Sequence, residues 1–142
     1  MLKAYIAGPL RGDGTEYAIT QNRAHAASVA RDLWRAGFSV FCPHLNTAGM
    51  VGLLDNCGGE EVFINGDLEW LMHTNILFVL NGWKTSKGAQ REVDYAWEHR
   101  IPIAWETKDA REQTACSSYR WGLGVQLYTL QELYNILKDI TS

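Results

Sequence analysis

Ser86, Gly88 and Glu92 hold the clearest chemistry in this 142-residue chain. Residues 76–80 are an apolar run of strand length, residues 81–85 a polar loop, and Val93, Ala96 and Trp97 then repeat at helical spacing. The chain therefore leaves a buried strand, turns and enters a helix. In an open α/β sheet that is where ligands bind. Ser86 is placed to cap the helix, and Gly88 leaves its first-turn N–H groups open to an anion such as phosphate. Glu92 stands four residues beyond Gly88, on the same face and one turn, about 5.4 Å, deeper. A carboxylate so close to a phosphate pocket points to chemistry on a phosphorylated small molecule. The plain alternative is a capped surface helix with a solvated Glu92.

Other elements must bring partners to this loop. Lys3–Ala7 reads as a first strand, and the Gly-Pro-Leu-Arg-Gly-Asp-Gly stretch that follows is a second strand-to-helix loop. Its glycines permit close backbone approach, and Arg11 offers a planar cationic fork for phosphate or stacking. No G-x-G-x-x-G dinucleotide fingerprint is present. Residues 17–36 predict a helix closed by Gly37, and residues 38–42 a second strand. At the carboxyl end of that strand His44 and Asn46 can hydrogen-bond a polar ligand edge. Residues 48–59 read as a longer loop able to act as a lid. Residues 60–73 read as a helix, and Asp67, beside its apolar face, is either a second carboxylate for the same crevice or an ordinary solvated side chain. A strand at 101–105 carries Pro102 near its start or at a sheet edge. Residues 107–118 are polar and irregular, 125–128 predict a short fifth strand, and 129–140 an amphipathic closing helix. Strands alternating with helices predict an α/β, flavodoxin-like (Rossmann-like) sandwich, with a mostly parallel five-stranded sheet and helices on both faces.

Length predicts one domain, residues 1–142. Sixteen acidic against thirteen basic side chains give a net charge of −3, which argues against a nucleic-acid backbone or an anionic membrane as partner. No apolar run approaches the length of a membrane span and the amino terminus has no signal-peptide layout, so a cytoplasmic protein is expected. Three cysteines without a CxxC pair suggest neither a disulfide framework nor a zinc ribbon. Cys42, His44 and Cys57 lack an evident fourth ligand, so no metal is expected.

Three stretches, taken together and in order, resemble a known family. Tyr-Ile-Ala-Gly-Pro-Leu-Arg-Gly at 5–12, Gly-Asp-Leu-Glu-Trp-Leu at 66–71 and Ser-Lys-Gly-Ala-Gln-Arg-Glu-Val-Asp-Tyr-Ala at 86–96 are similar to the nucleoside 2-deoxyribosyltransferase superfamily. Within it they lie closer to the 2'-deoxynucleoside 5'-monophosphate N-glycosidases than to the transferases. The resemblance implies that Glu92 is the nucleophile attacking C1' of the sugar, that Asp67 holds or protonates the departing base, and that Tyr5 lies beside the nucleophile. It further implies that Gly8, Leu10, Arg11, Gly12, Ser86 and Gly88 frame the nucleotide. Ser117, with Ser118 nearly as good a match, would reach the phosphate in a neighbouring subunit of a homodimer or larger assembly. Asn75 departs from the Asp of many relatives, at a position tied more to packing than to chemistry. No cofactor is implied. The function expected is hydrolysis of (deoxy)nucleoside 5'-monophosphates at the base–sugar bond. The alternatives are base exchange by a transferase and a non-catalytic nucleotide-binding or sensing module.

Overall fold

Residues 4–7 and 76–79 are apolar without interruption, the pattern of strands covered on both faces, and they form the middle of the sheet. The computed structural model describes residues 1–50, 59–107, 119–124 and 126–141. Strand β1 (Lys3–Ala7) lies between β2 (Ser39–Phe41) and β3 (Ile76–Val79), and β4 (Ile103–Glu106) pairs with β3, all in parallel. Strands β5 (Tyr119–Trp121) and β6 (Leu127–Tyr128) complete the order β2-β1-β3-β4-β5-β6, each antiparallel to its neighbour. The flavodoxin-like order holds through the fifth position, but the sheet is mixed and has six strands. The last two are arms of a hairpin, which needs no crossover helix: Gly122 adopts φ +53° and the Gly124 N–H donates to Trp121 O at 2.9 Å. The strand expected at 125–128 is seen at Leu127–Tyr128, the second arm. The first arm, three residues long, is too short to display an alternating pattern.

Side-chain parity sorts the core into two layers. Ala4, Ile6, Ile76 and Phe78 face helices α1 (Glu16–Ala36) and α5 (Leu130–Thr141), packing with Val29, Leu33, Leu133 and Leu137. Tyr5, Ala7, Leu77 and Val79 point the other way, toward Leu71 of α3 (Glu60–Leu71) and Val93 and Ala96 of α4 (Lys87–Glu98). Parity alone therefore puts Tyr5 on the side of the sheet that α4 covers. Helix α1 starts at Thr15, whose hydroxyl accepts from the Ala18 N–H, and stops at Gly37 with φ +107°, where the backbone turns left-handed. Helix α2 (Pro43–Asn46) is a single turn with proline at its start, where a loop was expected.

Two polar ties fix the frame. The Asn75 side chain accepts from the Lys3 N–H at 2.7 Å while its own N–H donates to Lys3 O at 2.8 Å, locking β1 to the entry of β3. This is a packing role, in agreement with the reading from sequence. At the carboxyl end of β4 the buried Glu106 accepts from the Asn81 N–H at 2.9 Å and pairs with His25 Nε2 at 2.7 Å, joining α1 to the loop after β3. Among the described residues no helix is long and apolar enough to cross a membrane.

Candidate active site

The carboxyl ends of β1, β2 and β3 open into a cleft of about 790 Å³, within the size range of small-molecule sites. Its floor is the loop after β1. Gly8 is required there by packing, since a Cβ would sit 2.8 Å from the Leu80 Cβ. The loop is held from two sides: Asn22 donates to Leu10 O at 3.0 Å, and His44 Nε2 lies 3.1 Å from Gly8 O and 3.0 Å from Pro9 O. Two carbonyls can only accept, so Nε2 carries the proton and donates. Burial holds the His44 pKa below its ordinary value and keeps the ring neutral. His44 thus lines the cleft while spending its Nε2 proton on the loop.

The start of α4 forms one wall. Ser86 is its N-cap, with Oγ accepting from the Ala89 N–H at 3.2 Å. The Lys87 and Gly88 N–H groups are among those a helix start leaves without intrahelical acceptors, and both residues line the cleft. At Gly88 a Cβ would meet Ile64 at 3.9 Å, ordinary contact, so close packing within the chain does not demand the glycine.

One turn deeper, Glu92 is 9% exposed and its Oε2 is buried, with no hydrogen-bond partner among the described residues. Burial pushes its pKa up to about 8; the Tyr5 hydroxyl opposes the rise and the Asp67 charge adds to it. Tyr5, wholly buried behind Glu92, is held well above the usual phenol range by burial and then by the charges of Glu92 and Asp67. The Tyr5 hydroxyl stands close enough to Glu92 to favour its charged form, although among the described residues neither Tyr5 Oη nor Glu92 Oε2 closes a hydrogen bond of good geometry. Asp67, half-buried on α3, is raised by burial to about 6. Glu61, which also lines the cleft, pairs with Arg91 at 2.8 Å and clips α3 to α4.

The fold brings Glu92, Asp67, Ser86 and Gly88 into one cleft with Gly8, Leu10, Arg11, Gly12 and His44. Tyr5 abuts the cleft from beneath Glu92. Asn46, at the end of α2, is exposed and is not among the residues that line the cleft. Ser117, Ser118, Cys57 and most of the expected lid lie outside the described residues. Several cleft residues were not singled out from the sequence, Arg23 among them. Arg23, on α1, donates from Nε to His44 O at 3.1 Å and faces the cleft. Its signal was the spacing of Glu16, Ile19, Thr20 and Arg23, a helical stripe beside the packing face.

A family model described as a domain of unknown function, DUF4406, matches residues 2–105. The chain belongs to this family. Every cleft residue named above falls inside the matched stretch, whereas the β5–β6 hairpin and α5 fall outside it. The chain is similar to a conserved protein from Enterococcus faecalis V583 of known crystal structure. Identity is 23%, with 81% of this chain and 69% of that chain covered and a TM-score of 0.57, a likeness of fold. No curated protein matches.

Proposed function

We propose that this DUF4406 protein is an N-glycosidase that cleaves the base–sugar bond of (deoxy)nucleoside 5'-monophosphates, with Glu92 as nucleophile. The observation that carries the reading is Glu92 itself, a carboxyl group with one oxygen sealed and without a hydrogen-bond partner among the described residues, one turn inside an open helix start and near a second carboxyl group. Burying such a group is costly unless a partner arrives. The electron-poor C1' of a breaking glycosidic bond is such a partner.

The steps balance with one proton held between Asp67 and Glu92. In the empty cleft it rests on Glu92, the more deeply buried of the two, and seating of the nucleotide shifts it to Asp67. As C1'–N breaks, its electron pair leaves with the base, a Glu92 oxygen bonds C1', and Asp67 gives the base a proton. Water then loses a proton to Asp67 and its oxygen bonds C1'. The C1'–O bond to Glu92 breaks with its electron pair returning to the carboxylate. The sum is nucleotide plus water going to free base plus sugar phosphate. We read the enzyme as a homodimer or larger closed assembly acting on cytoplasmic nucleotides, with Ser117 reaching a neighbour's phosphate as the family resemblance implies.

Incubation with a panel of nucleoside 5'-monophosphates, followed by chromatography for free base, tests the activity. Glu92→Ala should lower release at least ~10³-fold, about 4 kcal/mol of barrier, while folding and nucleotide binding persist. Release that survives in Glu92→Ala, or a wild type that frees no base from any member of the panel, contradicts the proposal.

A further inference from the structure

Arg23 is a cleft residue to which the glycosidase chemistry gives no task. It stands on α1, three and four residues from Thr20 and Ile19, which line the same wall. Its Nε is fixed by His44 O, and His44 is fixed in turn by Gly8 O and Pro9 O. The guanidinium is therefore oriented before any ligand arrives. Only Nε is used: among the described residues the Nη nitrogens have no hydrogen-bond or ion-pair partner. A half-buried arginine with no carboxylate on it is conspicuous in a chain where acidic side chains outnumber basic ones, 16 to 13.

Helices α1 and α4 cover opposite faces of the sheet, so Arg23 and the start of α4 stand on opposite sides of the cleft. A nucleotide with its phosphate on the α4 start and C1' at Glu92 directs its base toward the α1–α2 wall. We infer that Arg23 reads that base, and that the cleft prefers one presenting two adjacent acceptors, the N7–O6 edge of a 6-oxopurine. Two parallel N–H groups match that edge in bidentate fashion. Adenine places an amino donor where O6 would be and leaves one N–H of the fork unmatched. Fixing Nε lowers the ordering cost of the fork, since fewer side-chain rotamers remain to be lost on binding. The inference rests on the nucleotide reading of the cleft, but not on turnover.

The test is calorimetric binding in a Glu92→Gln background, which stops turnover, using the 2'-deoxy 5'-monophosphates of guanine, hypoxanthine, 7-deazaguanine and adenine. The guanine and hypoxanthine nucleotides should bind about tenfold more tightly than adenine, within the range a bidentate pair discriminates. The 7-deaza compound should fall between. Adding Arg23→Gln should reduce the preference to about twofold or less, again by loss of the bidentate pair, with a melting temperature lowered by no more than a few degrees for the lost bond to His44 O. Arg23→Lys keeps charge and helix but not the fork, and should lose the preference too. Rescue by lysine, or an equal weakening of all four nucleotides, assigns Arg23 to charge balance or to the phosphate and overturns the inference. Base release without a 6-oxopurine preference removes this inference and leaves the glycosidase standing. A preference without base release does the reverse.

Discussion

Glu92 can attack only when ionised, and Asp67 can assist the leaving base only when protonated. Burial raises both, to about 8 for Glu92 and about 6 for Asp67. Below pH 6 both carboxyls hold protons and no nucleophile exists; above pH 8 both are ionised and no acid remains. Between these limits the pair holds a single proton, the number the reaction uses, and the values belong to the pair more than to either residue. A bell-shaped dependence of kcat/KM with limbs near pH 6 and pH 8 is expected, since that ratio reports the free enzyme. A profile flat from pH 5 to 9, or with its acidic limb at the pKa of a solvated carboxylate, contradicts the assignment. The wholly buried Tyr5 is expected to contribute no limb, because its phenol stays protonated throughout this range. Glu92 was legible in sequence because its relation to Ser86 and Gly88 is local helical arithmetic. Arg23 was not, because its place depends on a carbonyl 21 residues away that takes position only when α2 docks on α1.

At the scale of elements, the proposed reaction asks the start of α4 to decide which end of the substrate is held. The Ser86 hydroxyl accepts from the Ala89 N–H and keeps its own O–H to donate, so capping and phosphate binding are compatible in one side chain. An aspartate there caps as well but repels phosphate. Ser86→Asp should therefore fold normally, with a melting temperature within a few degrees of wild type. Wild type should favour a nucleotide over its nucleoside, and the mutant should lose that advantage by about tenfold or more, each hydrogen bond to a charged group contributing roughly 1.5–3 kcal/mol. Equal use of nucleoside and nucleotide by wild type would remove phosphate from the site. The α1 and α4 boundaries were readable because Thr15, Gly37 and Ser86 are capping residues with local causes. The α2 turn was not, because four residues after a strand carry no periodicity. Nor was β5, whose register is set by β4 and β6 and not by its own three side chains.

Across the whole molecule the cleft joins the two layers that the sheet separates. Tyr5, Glu92 and Asp67 come from the α3–α4 side and Arg23 and His44 from the α1–α2 side, meeting over the end of β1, where the strand order reverses. The residues that build it are spread from position 5 to position 92, within the stretch matched by the DUF4406 family. The fold class was readable from alternating elements, and the mixed edge was not, because the hairpin that makes it follows a segment with no clear pattern. One measurement bears most directly on Glu92 as nucleophile: acid-quenched turnover with the preferred 5'-monophosphate, then peptide mass spectrometry. The expected result is a sugar-phosphate adduct on the peptide that contains Glu92, absent in Glu92→Gln. Full turnover with no adduct at any quench time, or an adduct on a different residue, contradicts it.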